Sequence, residues 1–333
     1  MKVIIVAYHS DRWLNACVQS LCARTPPHLV DILIADNGGN HHLTEAINVA
    51  EPTVSVVTTP GLLSFADANN YALVNGGLDA EYVCFLNQDT ITREVWLGAC
   101  TRLLGIDSGI GAVIPLIENY DGTAWDEAFV TCARPAPALY ERVQTGATAR
   151  FDDLPEFIEV PEVTAAAMVV RTEALRKAGP FDPIFGSYYE DYDLCRRIAQ
   201  AGYKVGVCTR GRVGHFGGSV TTDRKAYLRR AKWIARNRVI YSARWKWNNR
   251  PLGLLRYMLV EFPWNLARSL FGRSRVPFSA FLAAHKDLIP LLPRLVSATR
   301  DRGAWRRYLK ELGWPAFASR ERTYDLNAVA SES

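Results

Sequence analysis

The chain has 333 residues, 49% of them hydrophobic and 22% charged. Those values exclude wholesale disorder and leave room for one large domain or two ordinary ones. The net charge of +5 hides an asymmetry: from Arg210 onward there are 25 Lys and Arg against 8 Asp and Glu, whereas the preceding residues balance to −12. Seven scattered cysteines with no CxxC pair argue against a zinc cluster and a disulfide framework, and fit a reducing compartment. The apolar run at the N-terminus is too short for a signal peptide, and no stretch of about 18 apolar residues occurs, so a cytoplasmic location is expected.

In chain order, residues 3–8 read as a continuous apolar strand, buried on both faces. Ser10 looks like the N-cap of a helix with Leu14, Cys17 or Val18, and Leu21 at helical spacing; Pro26-Pro27 ends it. Residues 31–35 form a second strand, closed by the turn signature Asp36-Asn37-Gly38-Gly39. Residues 54–58 form a third strand, a helix follows near 64–75, and residues 82–86 form a fourth strand ending at Asn87-Gln88-Asp89-Thr90. This βαβ rhythm predicts an α/β fold with a Rossmann-like, mostly parallel central sheet flanked by helices. Residues 119–160, rich in Pro, Thr and acidic groups, read as a long irregular excursion. A strand at 164–171, a helix at 172–178 ended by Gly179-Pro180, a short helix at 191–201 and a strand at 203–208 follow. Past Ala226 the pattern is helical, amphipathic and basic.

Ligands of such sheets bind at the carboxyl ends of strands, which puts Asp36 and Asp89 on one rim. Asp36 can accept from a base N–H or ribose hydroxyls, or can merely form the turn. Asp89 can hold a divalent metal against a diphosphate, or can merely cap a helix. Tyr188-Tyr189-Glu190-Asp191-Tyr192-Asp193 places three carboxylates within four residues at a helix start, more than capping requires. An ionised carboxylate there can remove a proton from an attacking hydroxyl. His215, flanked by Gly214 and Gly217-Gly218, is either a turn residue or a metal ligand.

Taken together, residues 3–10, 34–38, 64–70, 85–90, 166–175, 179–182, 189–195 and 215–219 resemble, in order, glycosyltransferase family 2 with its GT-A nucleotide-diphospho-sugar transferase fold. The bacterial rhamnosyltransferase-like branch is the most similar. The resemblance implies a GT-A catalytic domain at 1–221, with a nucleotide-sugar-binding half (1–115) and an acceptor and catalytic half (116–221). A helical, amphipathic, basic region (222–333) follows. It further implies that Ala7, Tyr8, Asp36, Asn69, Gln88 and Asp89 contact the donor. Asp89 and His215 would hold Mg²⁺ or Mn²⁺, and Asp191, beside Glu190, would be the base of an inverting transfer. The implied partners are a nucleotide-diphosphate sugar, from dTDP-rhamnose or a UDP-sugar, and a glycan or polyprenyl-pyrophosphate-linked acceptor in cell-surface polysaccharide synthesis. Three positions depart from the family pattern: Asn87-Gln88-Asp89 carries one carboxylate, Ala165 stands where Gly is frequent, and His9 replaces a common Asn. The Gln-x-x-Arg-Trp type signature of processive synthases is absent, which favours a single addition.

Three other functions compete. A nucleotidyltransferase would want a Gly-rich basic loop after the first strand, and residues 8–12 have no Gly. A catalytically weak or inactive sugar-nucleotide or glycan-binding protein on the same fold is the alternative that the single carboxylate keeps open. No motif supports nucleic-acid binding. In the C-terminal third, Arg236 and Arg238 could meet phosphates of an acceptor. Residues 252–271 mix Leu, Tyr, Phe, Trp and Arg, which fits either a helix lying in the inner face of the plasma membrane or a helical subdomain with ordinary solvated arginines.

Overall fold

The computed structural model describes residues 1–8, 13–38, 54–146, 150–217, 223–274 and 276–314. Their contacts divide into two compact units, one built from residues 1–186 and 191–217, the other from 187–190 and 223–314.

The first unit is a mixed sheet flanked by helices. Its strands are β1 (Lys2–Ala7), β2 (Asp31–Asp36), β3 (Val54–Thr58), β4 (Tyr82–Leu86), β5 (Thr90–Thr92), β6 (Ile110–Asn119), β7 (Phe157–Glu159), β8 (Ala167–Arg171) and β9 (Lys204–His215). They run in the order β3-β2-β1-β4-β8-β6-β9-β5, with β7 pairing β9. The first four are parallel, as the apolar runs predict; β8 is antiparallel to both β4 and β6, and β5 and β7 are antiparallel to β9. The register of the parallel half aligns Ala7, Asp36 and Thr58 side by side, so three strand ends share one rim.

Helix α1 (Leu14–Arg24) buries Leu14, Cys17, Val18 and Leu21, the stripe its spacing predicts. Ser10 lies outside the described residues. Helix α2 (Phe65–Ala72) starts at Ser64, whose hydroxyl accepts from Asp67 N at 3.2 Å and donates to Asp67 at 2.6 Å. Phe85, fully buried on β4, meets Phe181 edge to face at 4.7 Å. Each such ring contributes about 1.5–3 kcal/mol by leaving water.

The excursion at 119–160 is more ordered than its composition suggests. It holds helices α4 (Glu127–Ala133) and α5 (Pro137–Gln144) as well as β7, after an earlier helix α3 (Leu97–Ile106). Asp126 caps α4 by accepting from Ala128 N and Phe129 N, and Pro137 opens α5 with its fixed φ. The strand expected at 203–208 continues to His215. A register shift between Ile114 and Leu116 lets β9 rejoin β6, and in that stretch Gly211 (φ +115) passes so close to Trp96 that a Cβ would sit 2.6 Å from its Cα. Helix α6 (Thr172–Ala178) and helix α7 (Glu190–Gln200) follow in chain order.

The second unit is helical: α8 (Arg224–Trp245), α9 (Arg250–Arg256), a π turn (Tyr257–Glu261), α10 (Phe262–Leu270), α11 (Phe278–Leu288), α12 (Leu292–Val296) and α13 (Ala298–Leu312). Its polar centre is Asp301, 6% exposed, which receives Arg244, Arg250 and Arg294 at 2.9, 3.3 and 3.0 Å.

Candidate functional site

At the strand-end rim, Gln88 spends its amide on the backbone of Tyr8: Tyr8 N donates to Oε1 at 2.9 Å, and Nε2 donates to Tyr8 O at 2.5 Å. Gln88 therefore fixes the backbone of Tyr8 at the end of β1. Next to it, Asn37 N donates to Ala7 O at 2.9 Å, and the Asn37 side chain clamps both backbone groups of Leu63. Thr59 donates to Asp36 O at 3.0 Å. Ala7, Tyr8, Asp36 and Gln88 are thus drawn together by main-chain bonds that leave little freedom at Asp36, which is 5% exposed. Asn69 is placed differently: it is 2% exposed in α2, with Nδ2 on Phe65 O of its own helix.

Asp89 leaves the sheet beside His215 because β5 pairs β9 with Thr90 opposite His215. Phe216 N donates to Asp89 O at 3.0 Å, which closes the corner. His215 Nε2 lies 3.5 Å from Asp89 Oδ1 and 3.1 Å from the Asn87 amide. Its Nδ1 lies 3.1 Å from Asp126 Oδ2. Burial opposes a charge on this ring, but the carboxylates of Asp126 and Asp89 outweigh it and push His215 up to about 10. Asp126, also buried, is held below the usual carboxylate range by His215 and by its two cap amides. Trp13 covers the corner, with ring centroids 4.5 Å from Phe216 and 5.0 Å from Tyr120.

Asp191 stands in the first turn of α7. Its Oδ2 accepts from Ala165 N at 3.1 Å and its Oδ1 from Tyr192 N at 2.9 Å. The adjoining Ala166 O accepts from Asn87 N at 2.9 Å, so two consecutive residues tie Asp191 to the Asn87-Gln88-Asp89 corner. Ala in place of Gly at 165 keeps the needed N–H. Burial disfavours the carboxylate and pushes Asp191 up to about 6, although those backbone donors favour its ionised form. Its neighbour Asp193 is spent on structure: it is fully buried and paired with Arg197 at 2.8 Å, while Arg197 also caps Ala178 O and Gly179 O. Glu190 is 5% exposed.

Tyr188 and Tyr189, just ahead of α7, take positive φ values of 70° and 74°. For bulky residues that costs roughly 1–2 kcal/mol each. Asn237, fully buried, donates from Nδ2 to Ser187 O at 2.8 Å and Tyr188 O at 2.7 Å. Arg236 is 9% exposed and donates to Asn237 Oδ1 at 2.6 Å, while Arg238 is exposed. The geometry therefore gives Arg236 a bracing contact. Reading the sequence misses Asn87 and Asp126 as site-building residues, and Asn237 as the anchor of Ser187 and Tyr188. Only Asp126 carried a local signal, that of a helix cap.

The model of "Glycosyl transferase family 2" matches residues 2–176, more than half of the chain, and that of "Glycosyl transferase family group 2" matches residues 157–292. An N-acetylglucosaminyl-diphospho-decaprenol L-rhamnosyltransferase of Mycobacterium tuberculosis is 26% identical over 232 residues, 61% of this chain and 71% of that protein. Among solved structures, the mannosyltransferase PcManGT of Pyrobaculum calidifontis in complex with GDP-Man and Mn²⁺ superposes with a TM-score of 0.53 at 16% identity, covering 94% of this chain and 84% of that one. GalNAc-T7 with UDP, GalNAc and Mn²⁺ superposes at 0.52 and 19% identity over 74% of this chain, which spans about half (48%) of that protein. These two likenesses concern the fold, which is the GT-A fold. With the sheet, its rim and the family match together, the chain belongs to glycosyl transferase family 2 and is a glycosyltransferase.

Proposed function

We infer that this chain is an inverting transferase that moves one sugar from a nucleotide diphosphate, dTDP-rhamnose or a UDP-sugar, to a hydroxyl of a glycan or polyprenyl-pyrophosphate-linked acceptor in cell-surface polysaccharide synthesis. The observation that carries this is Asp191: a half-buried carboxylate, oriented by Ala165 N and Tyr192 N, with its proton affinity raised toward neutrality. Such a group is ionised at neutral pH and more basic than an ordinary carboxylate. The acceptor oxygen attacks the anomeric carbon as its proton passes to Asp191, and the bond to the diphosphate breaks with its electron pair leaving on oxygen. Asp36, with the Ala7 and Tyr8 backbone, would hold the base and ribose. The 26% likeness to a rhamnosyltransferase favours the dTDP-sugar and a lipid-linked acceptor.

The residues at the Asp89 corner fit a divalent metal. A carboxylate oxygen and an imidazole nitrogen converge within 3.5 Å; a cation would have to displace the proton that Asp89 and Asp126 favour on this ring, and Asp126 on Nδ1 would then leave Nε2 as the ligating atom. Among the described residues no group of three or more His, Cys, Asp or Glu could hold a metal, so diphosphate oxygens and water would complete the shell. Bound there, Mg²⁺ or Mn²⁺ would offset the charge of the leaving diphosphate.

A donor panel tests the reading. Purified chain with Mn²⁺ or Mg²⁺ is offered dTDP-, UDP- and GDP-sugars, and released nucleotide diphosphate is measured with and without EDTA. One donor should be turned over, EDTA should stop it, and Asp191→Asn should lose about 10²–10⁴-fold in rate while keeping the donor-induced thermal shift. Turnover unchanged in Asp191→Asn would remove the base assignment. Thermal shifts with no turnover on any donor or acceptor would favour a binding protein.

A further inference from the structure

The helical run at 250–271 is turned the wrong way for a solvated helix. Its inner side buries Arg250, Tyr257 and Ser269. Its outer side presents Leu252, Leu255, Leu259, Val260, Trp264 and Phe271, each 54–73% exposed. A surface helix in water points polar residues outward, so a contiguous apolar stripe of this kind marks a contact surface. The π turn Tyr257–Glu261 adds one residue to the helical repeat. That keeps Leu259 and Trp264, five residues apart, both facing outward.

The charges around the stripe say what it contacts. Between residues 246 and 286 the sequence has seven Lys or Arg and one acid, Glu261. Arg256, Arg268 and Arg273 are exposed along the stripe, and Glu261 is only partly exposed. A second copy of the same face would bring arginine against arginine across a two-fold contact. An anionic bilayer complements both parts: its headgroups meet the arginines and its acyl boundary takes the leucines, with Trp264 at the level of the interface. Among the described residues no helix is long and apolar enough to cross a membrane, so the contact lies in the membrane plane.

We propose that the outward face of residues 250–271 docks this chain in-plane on an anionic phospholipid bilayer. The inference stands independently of the transfer chemistry. It is tested by co-sedimenting the full chain with vesicles of phosphatidylcholine alone and with vesicles in which a third of the lipid is phosphatidylglycerol. The chain should pellet with the phosphatidylglycerol vesicles, and less so as salt rises. Leu259→Glu with Trp264→Glu should weaken partitioning by at least about tenfold, and so should Arg256→Glu with Arg268→Glu. Both pairs change exposed side chains, so their circular dichroism and melting should match the parent. Three results would overturn the proposal: no binding of the parent chain, equal binding of either pair, or a dimer by light scattering that Leu259→Glu with Trp264→Glu dissociates.

Discussion

Asp191, half-buried, and His215, buried, sit in the same unit, and their proton affinities are set by opposite kinds of neighbour. At Asp191 desolvation outweighs the backbone amides that favour its charge and, with the nearby Glu162, lifts it to about 6. His215 has two carboxylates, which overcome desolvation. For Asp191 the consequence is a rate that depends on pH. A raised carboxylate is protonated below its folded value, and the protonated form cannot accept the acceptor's proton. With saturating metal, kcat/KM should be level above pH 7 and fall tenfold per pH unit below about 6. Asp191→Asn should have no such limb. A wild-type limb near pH 4 instead would mean that Asp191 sits in water, and its placement against Ala165 would be wrong.

At the scale of elements, the start of α7 depends on a turn that its own sequence disfavours. Tyr188 and Tyr189 hold positive φ, and the two hydrogen bonds from Asn237 secure the carbonyls of Ser187 and Tyr188. Asn237→Leu removes both bonds. It should cost about 2–3 kcal/mol of stability. Because the turn leads straight into Asp191, kcat should fall roughly ten- to a hundredfold with little change in donor KM. A loss of stability without a change in kcat would make Asn237 purely structural. None of this was legible beforehand. The parallel strands were, since β1, β2 and β4 are apolar runs that only double burial explains, and Asp36 and Asp89 followed from their ends. Helices α4 and α5 are seven and eight residues long, too short to establish a 3.6-residue period, so their segment reads as loop. Asp126 lies in that segment, 89 residues from the His215 it holds, and such a pairing has no local sequence trace. Arg236 reads as a phosphate ligand because it is a basic residue in a basic helix; its burial against Asn237 is a second role that the sequence does not signal.

For the whole molecule, the excess of positive charge after Arg210 divides into two populations. Arg256, Arg268 and Arg273 face outward, where they can attract an anionic surface. Arg244, Arg250 and Arg294 face inward on Asp301, so composition overstates the charge available for binding. Burial alone would raise Asp301; Arg244, Arg294 and Arg250 reverse that and lower it from 3.8 to about 2. A folded value below the unfolded one means that the ion cluster stabilises fully above about pH 4 and loses that contribution as pH falls through 2. The shift corresponds to about 2–3 kcal/mol. The second unit, whose buried Asp301 gathers three arginines, should therefore melt before the first on acidification, observed as an early loss of helical signal between pH 4 and 2. Asp301→Asn should move that loss to neutral pH, because three arginines, Arg250 buried among them, then lack their shared counter-charge, at a cost of about 3–5 kcal/mol. A single transition with unchanged midpoint in the variant would mean that the arginines relax into water, and that the helical unit is held by its apolar contacts alone.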